Sequence, residues 1–128
     1  MSATRGIVLF AHGSRDARWR EPVEAVAARI GALDPTVQVR CAYLEAAAPD
    51  LPGAVAELAA AGVSEIDVLP LFLGVGKHLR EDLPRLAQEL QQAHPALRLT
   101  LRTAVGESPE FVDLLAHLAL KNSTLGSH

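Results

Sequence analysis

Four short aliphatic runs, each followed by a longer segment of helical period, constrain this chain more than any other feature. Ile7 to Ala11 is unbroken apolar and ends at His12-Gly13, as a strand buried on both faces would. Trp19, Val23, Val26, Ala27, Ile30 and Leu33 then recur at helical spacing, with Pro22 tolerable in a first turn. Val37 to Tyr43 reads as a second strand, and Asp50 as the N-cap of a helix running to about Ala61. Pro52 falls in that helix's first turn and Gly62 is placed to stop it. Ile66 to Phe72 reads as the third strand. The loop Gly74-Val75-Gly76-Lys77-His78 leads from it into a helix through about Ala93, ended by Pro95. Leu97 to Thr103 reads as the fourth strand, with Arg98 and Arg102 pointing to a sheet edge. Ser108-Pro109 forms an N-cap and N1 pair for a last helix carrying Phe111, Leu114, Leu115 and Leu118. Strands alternating with helices of this length predict an α/β fold. It has a four-stranded parallel sheet flanked by helices on both faces, joined by right-handed crossovers.

With 128 residues the chain has material for one core, and residues 1–120 read as one domain. Lys121 to His128, small and polar, reads as a disordered tail. Half the residues are apolar (49%), but only five are Phe, Trp or Tyr, too few for a platform that stacks single-stranded bases. A net charge of −3 gives no chain-wide attraction to nucleic acid. Cys41 is the one cysteine, which excludes an internal disulfide and a cysteine-based metal cluster. It reads as a small buried hydrophobe. No leader precedes the first apolar run and no apolar stretch is long enough for a membrane span, so a soluble cytoplasmic protein is expected.

In an open parallel sheet, ligands bind beyond the carboxyl ends of the strands. His12, Gly13, Ser14, Arg15 and Asp16 follow the first strand, and Glu45 follows the second. Gly74, Gly76, Lys77, His78 and Arg80 follow the third, and Gly106, Glu107 and Ser108 the fourth. Two histidines 66 positions apart, with a carboxylate, therefore converge on one sheet edge. Such ligands leave open positions on a divalent first-row metal, which suits a site that hands its metal on. His94, His117 and His128 lack this context and read as structural or solvated. Arg15, Arg18, Arg20, Lys77 and Arg80 gather five of the twelve basic residues at the same edge, fitting an anionic ligand; Arg18 or Arg20 reads equally as a solvated helix start. Helix N-termini after both loops would add backbone N–H donors. Gly74 and Gly76 either admit close approach of a flat ligand or supply positive φ. Neither GxxxxGK[ST] nor GxGxxG is present, so no nucleotide is expected.

Three stretches together resemble the small single-domain sirohydrochlorin chelatases of the CbiX type, within the class II tetrapyrrole chelatases. They are Ile7-Val-Leu-Phe-Ala-His-Gly-Ser-Arg-Asp16, Ala42-Tyr-Leu-Glu45, and Leu69-Pro-Leu-Phe-Leu-Gly-Val-Gly-Lys-His-Leu-Arg-Glu-Asp-Leu-Pro84. The resemblance runs over residues 5–118. It implies a flavodoxin-like, chelatase-like fold, a homodimer, and neither a nucleotide nor an organic cofactor. It also implies that His12 and His78 are catalytic and that His12, Glu45 and His78 meet the metal. That metal is a divalent ion (cobalt, iron or nickel) which is itself a substrate. The other substrate would be a polycarboxylate tetrapyrrole, facing Ser14, Arg15, Gly76, Lys77 and Arg80; membrane and nucleic acid are not expected partners. A non-catalytic metal or tetrapyrrole carrier would use the same pocket. A histidine phosphatase would need arginine directly before the histidine, where this chain has Ala11.

Overall fold

The computed structural model describes residues 5–122. Four strands alternate with four α-helices: β1 (Arg5–Ala11), α1 (Glu21–Leu33), β2 (Gln38–Tyr43), α2 (Leu51–Ala60), β3 (Glu65–Pro70), α3 (Lys77–Ala93), β4 (Arg98–Leu101) and α4 (Pro109–Leu120). All pairings are parallel and the sheet order is β2-β1-β3-β4, which confirms the expected architecture. β4 lies at an edge, as its arginines predicted, and is shorter than Leu97–Thr103. Thr103 falls in the loop beyond β4, while Ser14–Asp16 lie in the loop after β1 as expected. The expected polar tail lies outside the described residues from position 123 onward. No helix among the described residues is long and apolar enough to cross a membrane.

Helix ends follow the local chemistry. The Asp50 carboxylate accepts the Gly53 N–H at 2.9 Å, capping α2 where the sequence placed the cap. At the other end Gly62 takes φ +88, its N–H reaches the Ala59 carbonyl, and the Val63 N–H reaches the Leu58 carbonyl. This pair of bonds satisfies carbonyls that α2 would otherwise leave open. Ser108 sits at the N-cap of α4, but its hydroxyl donates to the Glu110 carboxylate instead of accepting a helix N–H. The first helix starts later than its apolar periodicity suggested. Asp16 caps a 3-10 turn, Ala17–Arg20, before α1 begins, and this leaves Trp19 70% exposed.

The two sheet faces are unequal. On one, Val8, Phe10, Ala42, Ile66 and Val68 pack with Leu51, Ala54, Val55 and Leu58 of α2 and Leu83 and Leu90 of α3. Alternation turns Leu9, Cys41 and Tyr43 to the opposite face. There the Cys41 Sγ lies 3.9 Å from the Val23 carbonyl of α1. Neither α1 nor α4 has a buried residue. The expected apolar face of α4 is present, but Leu114, Leu115 and Leu118 are exposed, as are Val26 and Leu33 of α1. A cleft of about 560 Å³ opens between Leu69, Val105 and the start of α4.

Candidate functional site at the carboxyl edge of the sheet

β1 is the strand at which the order reverses, with β2 on one side and β3 on the other. The crevice beyond the carboxyl ends of β1 and β3 is therefore the switch point where such sheets bind ligands. His12 follows β1 directly and His78 lies in the first turn of α3, after β3. Both are exposed, as is Glu45 after β2.

Backbone contacts stitch these loops together. The Glu45 N–H donates to the His12 carbonyl at 3.0 Å, and the Leu44 N–H to the Ala11 carbonyl at 2.8 Å. Gly13, at φ +94, makes this possible, because a Cβ there would lie 2.0 Å from the Glu45 carbonyl oxygen. A glycine is required by both backbone angle and space. Ala46, next to Glu45, holds φ 63, a conformation that costs a non-glycine residue about 1–2 kcal/mol. The His12 ring packs on Phe72, with centroids 4.6 Å apart and planes at 59°. Phe72, fully buried just past β3, also meets Phe10 edge-on at 5.8 Å. His12 is thus seated on the core through an aromatic contact that the histidine pattern alone did not disclose.

The expected ligand set is brought to neighbouring loops without being closed on a point. Among the described residues, no three His, Cys, Asp or Glu side chains are gathered closely enough to hold a metal ion. All three candidates are exposed, and the Phe72 contact orients the His12 ring without bringing it to a common centre with the other two.

The anion-binding candidates divide. The Ser14 hydroxyl accepts the Asp16 N–H at 3.0 Å, and the Asp16 carboxylate accepts the Arg18 N–H at 3.0 Å and its guanidinium at 2.8 Å. The bond to the Arg18 side chain, then that to its backbone, holds the Asp16 carboxyl below its ordinary range. This caps the 3-10 turn after β1, where the Arg18 N–H is already taken, and Arg18 serves its own turn. The start of α3 differs. Gly76 is its N-cap and offers no side chain, so the first N–H groups of a 17-residue helix face outward uncapped. Arg15 and Lys77 make no hydrogen bond or ion pair among the described residues. Arg80 lies 3.5 Å from the Glu107 carboxylate and donates to the Val75 carbonyl at 3.4 Å. Neither Gly74 nor Gly76 takes positive φ, which removes that reading of the loop. His94 caps the end of α3, and His117 Nδ1 stands 2.8 Å from the Asp113 carbonyl on α4; both are away from the edge, as expected.

Together these elements define an open, all-parallel α/β sheet with the two histidine loops at its switch point. The chain belongs to the CbiX family, whose family model matches residues 6–121. It is 34% identical over 86 residues to a sirohydrochlorin cobaltochelatase of Methanococcoides burtonii, covering 67% of this chain and 66% of that protein. The protein of the same name from Sulfolobus acidocaldarius is 27% identical over 116 residues, 91% of this chain and 90% of its own. The aligned part thus falls just short of two thirds of the first of these relatives. Among solved structures, a CbiX protein from Marinobacter aquaeolei VT8 superposes with a TM-score of 0.76 at 33% identity, covering 90% of this chain and 93% of that one. The sirohydrochlorin chelatase SirB from Bacillus subtilis subspecies spizizenii, solved with cobalt, has the same fold (TM-score 0.73, 22% identity). The match covers 91% of this chain and 49% of SirB.

Proposed function

We propose that this chain is a chelatase that inserts a divalent metal (cobalt, iron or nickel) into sirohydrochlorin or a close relative, using His12 and His78. The observation that carries this reading is their placement on the loops of adjacent central strands, with Glu45 bonded through its backbone to the first of them. The relatives named sirohydrochlorin cobaltochelatase support the substrate assignment.

The macrocycle's carboxylates would meet the uncapped N–H groups after Gly76, together with Arg15, Lys77 and the Ser14 hydroxyl. Arg80 carries five N–H donors, and its contacts with Glu107 and Val75 leave some of them available. His12, Glu45 and His78 would hold the incoming ion with positions open toward the ring. Insertion of a dication releases two pyrrole protons, and a neutral imidazole is suited to accept one near neutral pH. The three side chains closing on the ion as it arrives accounts for their separation in the structure. No nucleotide or organic cofactor takes part in this scheme. The reaction would run in the cytoplasm.

We infer a homodimer as well, supported by the exposed Leu114, Leu115 and Leu118 face of α4 and by the chain's matching about half of SirB. The test of activity is conversion of metal-free sirohydrochlorin, followed by absorbance, with each metal in turn. Turnover of many equivalents is expected, with a loss of at least 100-fold in His12→Ala and His78→Ala. Stoichiometric binding without turnover would make the chain a carrier. Unchanged insertion in the double variant would refute the site.

A further inference from the structure

We propose that the turn Val105–Glu107, which supplies neither histidine, is the positioning element that sets where His12 and His78 stand. Its functional consequence rests on the chelatase reading above; the coupling itself does not. The turn grips the loop between β3 and α3 at both ends. At the start, the Gly106 N–H donates to the Phe72 carbonyl at 3.0 Å. There a Cβ on Gly106 would lie 1.7 Å from the Leu73 carbonyl oxygen and 2.6 Å from its Cα. At the far end, the Glu107 carboxylate faces the Arg80 guanidinium at 3.5 Å, in the same helical turn as His78, and Arg80 in turn holds the Val75 carbonyl. Phe72 extends the connection to β1, because its ring is the surface on which His12 rests.

Gly106 does not sit at positive φ, so only space demands a glycine there. To escape an added methyl group, the Leu73 peptide must retreat by more than about an ångström. Leu73 and Gly74 are exposed, so the retreat strips little apolar surface from the core. The fold can absorb that movement, whereas liganding groups tolerate only about 0.5 Å of displacement. A misplacement of about 1 Å commonly costs about 100-fold in rate. Gly106 and Glu107 therefore act on the site through the loop and not by touching metal or macrocycle.

The test uses the full chain with labelled histidine rings, free of metal, and compares the parent with Gly106→Ala, Glu107→Gln and Gly31→Ala. No atom lies within 4 Å of a Cβ at Gly31, in α1, which makes it the neutral control. Gly106→Ala is expected to melt within a few degrees of the parent. It should also move the His12 and His78 ring resonances, leaving those of His94 and His117 in place. His12 and His78 resonances unmoved in a folded Gly106→Ala would overturn the proposal. Should that variant not fold, Glu107→Gln decides the matter, since it adds no bulk: a moved His78 signal supports the coupling and an unmoved one overturns it. A second arm titrates Co²⁺ by visible absorbance, where Gly106→Ala should weaken binding at least tenfold and Gly31→Ala should match the parent. Moved resonances together with a parent whose histidines ignore Co²⁺ would uphold the coupling and refute the chelatase reading.

Discussion

Replacing Gly13 by alanine tests how the histidine loop is built. An L-residue held in the left-handed region at φ +94 costs about 1–2 kcal/mol. The new Cβ would stand 2.0 Å from the Glu45 carbonyl oxygen and 3.0 Å from Tyr43 Cβ, so the Glu45 loop must move. That movement gives up the Glu45 N–H bond to the His12 carbonyl, worth about 1 kcal/mol net. The expected loss is about 2–3 kcal/mol. Folding free energies are on the order of 5–15 kcal/mol, so the variant stays folded. Its midpoint should fall by roughly 10 °C for a chain of this size. The same substitution at Gly31 has the opposite sign. This glycine lies inside α1 with nothing near its Cβ, and alanine there should gain about 0.5–1 kcal/mol from helix propensity. Equilibrium urea unfolding followed by circular dichroism measures both. If Gly13→Ala came within about 0.5 kcal/mol of the parent, the tight approach of the two loops would be refuted.

Tyr43→Phe should raise stability by up to about 1 kcal/mol in the same assay, because the buried hydroxyl makes no hydrogen bond of good geometry and has only the weak Cys41 thiol beside it. Burial, with Cys41 and Glu24 nearby, pushes this hydroxyl up to about 12; a loss above 1 kcal/mol on substitution would reveal a bond. The Asp34 carboxyl is held below its ordinary range by the Thr36 hydroxyl first and its N–H second. A depressed folded value means stability present above the unfolded value near 4 and lost as pH falls through the folded one. Asp34→Asn should therefore lose less stability between pH 6 and pH 3 than the parent does. Leu114→Glu with Leu118→Glu, both on the exposed face of α4, should leave the monomer folded and abolish the dimer proposed above in sedimentation velocity. A dimer that survives would place its interface elsewhere.

The sheet was legible because the apolar runs have strand length, are bounded by turn residues and alternate with segments of helical period. The edge position of β4 was legible because Arg98 cannot be buried on both sides. Asp50 and Gly62 announced the ends of α2, since cap chemistry is local. What was not legible depended on neighbours distant in sequence. Trp19 fits the period of α1, but Asp16 takes the Arg18 N–H and starts a separate turn. Ser108 occupies a cap position, yet Glu110 takes its hydroxyl. At the site, position after a strand brought His12 and His78 forward as candidates, whereas Glu45 rested on the family resemblance. The seat of His12 on Phe72 and the pairing of Arg80 with Glu107 required the fold, because each joins elements that the sequence separates widely.

The central place of β1 has a consequence for synthesis. This strand, paired on both edges, is translated before either of its partners. Until β2 and then β3 follow, Ile7 to Ala11 is an apolar ribbon with two unpaired edges, a form open to association with other chains. The sheet is complete only once β2, β3 and β4 have followed this strand from the ribosome. The histidine that follows β1 is accordingly made before Glu45 and Phe72, the two residues that give it its surroundings.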